Sequence, residues 1–174
     1  LVTDITPGGQ FIVGGGTAFD PEKPGLEIEL YRMAAEKIGV QLKIERIPWK
    51  LCLQKLKSNQ VDGIFPASYK KERAEVGHYP MKNGSVDISR KTRDNGYYLY
   101  TLRNSKLSWD GESFSGISGD IGAPTGWAIV EDLKQKVVVV KEVTVHAQTP
   151  DLLVLGRFQG FICLATVFDS YLCD

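Results

Sequence analysis

The stretch VDGIFPASYKKERAEVGHYP, residues 61–80, changes character in its middle. Residues 61–65 read as a buried strand, a short apolar run bounded by turn signals. Pro66 breaks that run, since proline has no N–H to give to a ladder. Ser68, Lys70, Lys71, Glu72 and Arg73 follow at once. In open α/β sheets, ligands sit beyond the carboxyl ends of the strands. A cationic, hydroxyl-bearing segment at a strand tip therefore has two readings. Arg73 is either a surface charge paired with Glu72 or Glu75, or a clamp for an anion. A guanidinium suits the second role, because it offers two parallel donors to a carboxylate and stays charged at any working pH. Taken alone, the segment favours the surface charge.

Upstream, helical and strand periods alternate. Residues 26–38 predict a helix, with Leu30, Met33, Ala34 and Ile38 on one apolar face at spacings of three and four. Gly39 stops it, as glycine does after a helix C-terminus. Residues 41–47 predict a strand through Leu42, Ile44 and Ile47. Pro48 opens a second helix, with Leu53 and Leu56 inward, Lys50, Lys55 and Lys57 outward, and Asn59 as its terminator. Before all of these, residues 10–13 predict a first strand. The glycines 14–16 that follow lack the Gly-Lys-Ser/Thr of a phosphate loop and the dinucleotide fingerprint, so they read as a permissive turn. Strand, helix, strand, helix, strand implies a parallel sheet with crossover helices.

Downstream, residues 81–96 turn polar, and residues 97–102 form a tyrosine-rich strand. Trp109-Asp110-Gly111 reads as a turn, since Asp-Gly supports positive φ. The α/β alternation then restarts. Strands are expected at 121–123, 137–140 and 161–164, and helices at 126–136 and 150–157. Ile129, Val130 and Leu133 share one face of the first of these helices. The chain thus divides into two α/β lobes, residues 1–90 and 91–174, joined by polar strand-forming sequence near 82–97.

Composition narrows the classes. The chain has 174 residues, of which 43% are hydrophobic and 24% charged, ordinary for a globular protein. Lys+Arg and Asp+Glu are both 21, and without a basic excess a nucleic-acid partner is not expected. No apolar run approaches the ~20 residues of a membrane helix. No signal peptide stands at Leu1, which leaves a cytosolic chain or a removed leader. Cys52, Cys163 and Cys173 form no C-x-x-C pair. Cys52 and Cys163 read as small buried hydrophobes, and a disulfide stays open. His78 and His146 have no partners at metal-ligand spacing, so neither a metal site nor a cofactor is expected.

Several segments, in order, resemble the extracellular solute-binding proteins of family 3. GLEIEL (25–30) is similar to that family's first helix start. Pro48-Trp49, with Leu53, Leu56 and VDG (61–63), is similar to the next conserved block. SYKKER (68–73), followed by Tyr79-Pro80, resembles its Ser/Thr-x-Thr-x-x-Arg segment. IGAPTG (121–126) and LGRFQG (155–160) resemble second-lobe motifs. The resemblance implies a periplasmic-binding-protein-like α/β fold of two lobes, with a hinge and an inter-lobe cleft. It makes Arg73 the clamp for a ligand carboxylate, with Ser68 adding a donor. Trp49 either stacks on the ligand or covers the core. Thr125 belongs to the second-lobe loop, and Trp127 stands close after it, narrowing the cleft or stacking on a flat ligand.

The implied role is capture of a small polar, carboxylate-bearing ligand, an amino acid or related organic acid, for the membrane permease of an ABC transporter. It would act in the periplasm after removal of a leader, without chemistry. A ligand-sensing domain of a membrane receptor is the alternative. A dehydratase or lytic transglycosylase on the same fold comes last, because Glu27, Glu29, Glu72 and Glu75 are not spaced as a catalytic pair.

Two departures qualify the resemblance. Gln159 and Leu164 stand where the family carries acids, the second of which takes a ligand ammonium; leucine cannot, and Asp169 could do so only in a shifted register. A ligand with a carboxylate and no α-ammonium therefore stays open. Such proteins also return to the first lobe, whereas this sequence ends in the second. The expectation is a truncated chain whose remaining part is cleaved, disordered or supplied by a neighbouring chain through swapping.

Overall fold

The computed structural model describes residues 1–136, 139–145 and 148–172. His146, Cys173 and the first two residues of the strand expected at 137–140 lie outside the described residues. The chain forms two compact units, Leu1–Asp94 and Asn95–Asp174.

In the first unit the elements are β1 (Val2–Thr3), α1 (Leu26–Lys37), β2 (Glu45–Arg46), α2 (Trp49–Lys57) and a hairpin of β3 (Met81–Lys82) and β4 (Ser85–Val86). β1 pairs in parallel with β2, Val2 opposite Glu45 and Thr3 opposite Arg46. On its other side Val2 bridges Ile64 in parallel. α1 lies in the crossover from β1 to β2, and α2 in the crossover from β2 to Ile64, as parallel pairing requires.

The parallel arrangement agrees with the sequence reading, but its strands differ. The first strand is β1, not residues 10–13. That segment is a 3-10 turn, Gly9–Phe11, entered through Gly9 at φ 59°. Ile12 is nevertheless buried against Ile28 and Phe65, so its apolar character serves a packed loop instead of a strand. The strand expected at 61–65 contracts to the single bridge at Ile64, flanked by Val2 N–H to Gly63 O at 3.0 Å and Phe65 N–H to Val2 O at 3.1 Å. Pro66 removes the donor that would extend it. Of residues 41–47 only Glu45 and Arg46 are strand.

α1 ends within a residue of its expected limit, with Gly39 at φ 69°. Its buried face is another matter. Glu27, Ile28 and Ala35 point inward, while Met33 is 67% and Ile38 72% exposed. Leu30 and Ala34 are exposed as well. The helix carries two apolar stripes at helical spacing, and periodicity cannot choose between them. The choice is made by partners: Ile28 joins Ile12 and Phe65, and the Tyr31 ring packs 4.4 Å from Phe65. In α2, Trp49 and Cys52 are buried, Leu53 and Leu56 half-buried, and Asn59 follows at φ 54°.

Two buried arginines brace this unit. Arg46 donates to the carbonyls of Ile5 (2.6 Å), Ala18 (2.9 Å) and Asp4 (3.4 Å) and lies over the Phe19 ring, tying the loops to β2. Arg93 stands 3.6 Å from Glu27, their side chains 8% and 2% exposed. Thr92 Oγ1 donates to the same carboxylate at 2.8 Å, and the guanidinium covers the Phe11 ring.

In the second unit the elements are β5 (Tyr97–Thr101), β6 (Ser108–Trp109), β7 (Phe114–Ser115), β8 (Ile121–Pro124), α3 (Ala128–Lys134), β9 (Val140–Val143), α4 (Thr149–Val154), β10 (Gly160–Leu164) and α5 (Ala165–Phe168). The main sheet has the order β5-β10-β8-β9. β8 is parallel to β9 and β10, and β5 runs antiparallel to β10. Alternation along β10 sends Ile162 to a layer with Ile121, Ala123, Ile129, Val130 and Leu133. Phe161 and Cys163 go to the opposite layer with Phe158, Val167 and Phe168.

β5, β8, α3 with its apolar face and β10 lie where the sequence placed them. The β6–β7 hairpin turns at Asp110, whose carboxylate accepts from the N–H groups of Glu112 and Ser113. β9 begins at Val140, at the far end of the expected strand. α4 stops at Val154, short of the expected 157, because Gly156 takes φ 66°. No helix among the described residues is long and apolar enough to cross a membrane.

Candidate functional site

Pro48 caps α2 and sets Trp49 at its first turn, 7% exposed. Beyond Ile64 the chain leaves the sheet at Pro66 and makes one 3-10 turn at Arg73–Glu75, closed by Arg73 N–H on Lys70 O at 3.0 Å. The Arg73 side chain folds back over the strand tip. Its guanidinium lies 5.3 Å from the centre of the Trp49 ring, a cation–π contact. One of its terminal nitrogens donates to Ser68 O at 3.0 Å. Tyr79 Oη donates to the same carbonyl at 3.1 Å. Tyr79 in turn meets Tyr69 edge to face, 5.2 Å between centroids.

Burial pushes the Tyr79 phenol up, against the opposing pull of Arg73, so it serves as a neutral donor at neutral pH. The result is a half-buried cation held on an aromatic floor. Fixing a guanidinium's plane in this way leaves less entropy to lose when a carboxylate binds.

Of the sequence-predicted residues, Trp49, Ser68 and Arg73 therefore come together in the first unit. Ser68 contributes its main-chain carbonyl, an acceptor for Arg73 and Tyr79; the hydroxyl or backbone donor expected of it toward a ligand is a different group. The Trp49 ring is covered by Arg73, and its buried indole N–H finds no acceptor among the described residues. Tyr69 and Tyr79 were not read as site residues. Tyr79 was quoted only as part of a Tyr-Pro pair, and its meeting with Ser68 spans eleven positions of chain.

Thr125 and Trp127 lie together in the second unit, in the turn between β8 and α3. The main-chain donors of this turn are engaged internally. Thr125 N–H goes to Val143 O at 3.0 Å and Trp127 N–H to Pro124 O at 3.2 Å. Gly126 N–H goes to Glu142 Oε2 at 2.9 Å, and Lys134 holds the other oxygen of Glu142 at 2.9 Å. What the turn presents is side chain, with the half-buried Trp127 packing against both apolar layers.

The positions that depart from the family pattern have structural employment. Gln159 accepts from Ser118 and Gly119 N–H and donates to Gly116 O, clamping that loop. Leu164 packs in the same apolar layer as Trp127. Asp169 accepts from Tyr100 Oη at 2.6 Å; burial first, and then this bond, push the Tyr100 phenol up. Among the described residues no group of three His, Cys, Asp or Glu side chains could hold a metal ion. Cys52 and Cys163 are free and buried, and burial pushes both thiols up to about 12.

The family model of the bacterial extracellular solute-binding proteins, family 3, matches residues 19–153. No curated protein matches the chain. Solved structures share its fold. The substrate-binding protein of an amino acid ABC transporter aligns with TM-score 0.69 at 24% identity, over 98% of this chain and 71% of that one. The arginine-bound form of a truncated ArgBP from T. maritima gives TM-score 0.68 at 14% identity, over 99% and 76%. A histidine kinase sensor domain with similarity to periplasmic binding proteins gives 0.74 at 15%, over 98% and 69%.

Proposed function

This chain belongs to the bacterial extracellular solute-binding proteins of family 3, and we propose that it captures a small carboxylate-bearing solute with Arg73 as the anion contact. The observation that carries this reading is the mounting of Arg73, stacked on Trp49 and braced on Ser68 O. Trp49 and Ser68 act by positioning the guanidinium. Thr125 and Trp127 are proposed ligand contacts of the second unit, acting through their side chains because their N–H groups are committed. The ligand needs no ammonium, since the apolar Leu164 and the engaged Asp169 offer it no ready partner.

Delivery to the membrane permease of an ABC transporter, from the periplasm, is the proposed context. It is supported by the likeness to a substrate-binding protein of such a transporter. No catalytic step is proposed. A second reading, a ligand-sensing domain of a membrane receptor, is favoured by the likeness to a histidine kinase sensor domain.

Titration calorimetry with small carboxylates tests the core of the proposal. Arg73→Ala should weaken binding by ~1–3 kcal/mol, the worth of a charge-assisted hydrogen bond. Unchanged affinity would overturn it.

A further inference from the structure

We propose that Glu27 is a latch on the chain that joins the two units, its carboxylate holding Thr92 and Arg93, two consecutive residues, against the first turn of α1. The first unit ends at Asp94 and the second begins at Asn95. Residues 91, 92 and 94–96 are exposed. Among the described residues, no backbone–backbone hydrogen bond involves residues 92–95, so side chains fix this stretch. Thr92 Oγ1 donates to Glu27 Oε1 at 2.8 Å. The Arg93 guanidinium faces Glu27 Oε2 at 3.6 Å and lies over the Phe11 ring, 4.6 Å from its centre. On the other side, Asn95 Nδ2 donates to Thr166 Oγ1 at 3.0 Å, within the second unit. Asp94 thus lies between a neighbour anchored on one unit and a neighbour anchored on the other.

The seat works through charge. Glu27 Oε2 and Arg93 Nη1 are buried and have no hydrogen-bond partner among the described residues, and 3.6 Å is too long for a directional bond. Glu27 also stands in the first turn of α1, where the helix dipole favours a carboxylate. A buried ion pair is a weak source of stability, and its better-attested use is to fix one arrangement over others. Here the arrangement fixed is that of the joining chain. Residues up to Arg93 belong mechanically to the first unit, and the joint falls at Asp94. None of this depends on the reading of Arg73.

Limited trypsin digestion of the folded chain tests the latch, because cleavage follows local opening. Two bonds are read: Lys91–Thr92, in the held stretch, and Arg103–Asn104, at an exposed site of the second unit. Glu27→Gln removes the charge and nearly keeps the shape. It should speed cleavage after Lys91 by ~10-fold or more, since one partner of a buried pair is lost. Thr92→Ala should speed it by ~2–10-fold, the worth of one hydrogen bond. Cleavage after Arg103 should not change in either. The Glu27→Leu/Arg93→Met double variant removes both charges together, and it too should release Lys91–Thr92. Circular dichroism checks folding, and Thr92→Ala, at an exposed position, carries the test if the core variants do not fold. Cleavage after Lys91 that is unchanged, or that rises only as much as cleavage after Arg103, overturns the latch. So does a double variant that protects Lys91–Thr92 as well as the unaltered chain.

Discussion

The Glu27–Arg93 pair shows how much a residue's neighbours matter. Both side chains are nearly inaccessible, and 3.6 Å separates them, so each charge is tolerated because the other is there. Breaking a buried pair from one side leaves an uncompensated charge and costs ~3–5 kcal/mol, whereas replacing both by apolar groups can be close to neutral. Arg93→Met should therefore lower the urea midpoint strongly, and the Glu27→Leu/Arg93→Met double variant should recover most of the loss. Equal destabilisation by single and double variants would show that the pair braces nothing. Arg73 makes the complementary point. Its candidacy was legible from its place just after a strand, but its orientation was not. The carbonyl that receives both it and Tyr79 is brought to them only by the turn at Arg73–Glu75.

At the scale of elements, α1 is the informative helix. Its limits were readable, because Gly25 and Gly39 bracket it and a glycine after the last turn takes the left-handed conformation cheaply. Its orientation was not, because Leu30, Met33 and Ile38 make as regular a stripe as Ile28, Tyr31 and Ala35. Stability measurements can distinguish the faces in solution. Ile28→Ala should cost ~2–5 kcal/mol, the range for truncating a buried side chain. Met33→Glu, on the exposed face, should stay within ~0.5 kcal/mol, as surface changes do. The reverse ranking would restore the face that periodicity alone suggested.

At the scale of the whole molecule, each unit buries groups that must remain neutral. In the first, the Cys52 thiol and the Tyr31 phenol are both pushed up to about 12, chiefly by burial. In the second, Cys163 is pushed up likewise. A raised folded-state pKa means that the native chain holds its proton at a pH where the unfolded chain has lost it. Stability is then full below pH ~9, the ordinary thiol range, and falls as pH climbs from there toward 12. Denaturant midpoints measured from pH 8 to 12 should decline across that window, and Cys52→Ala should reduce the decline. A flat profile would mean that these groups ionise in the native chain without cost.

What the sequence determined by itself was the alternation of strands and helices, the parallel character of the first unit and the cation beyond residues 61–65. These follow from short-range periods and from proline and glycine punctuation, which act within a few residues. Tertiary structure decided which apolar stripe of α1 turned inward and which short segment became the first strand. It also decided that Trp49 floors the arginine and that Tyr79 and Ser68 brace it. All of these but the Arg73–Ser68 bond, which spans five residues, depend on a partner farther along the chain. Burial is a property of pairs of surfaces, and a local pattern can offer a face but cannot say what will cover it.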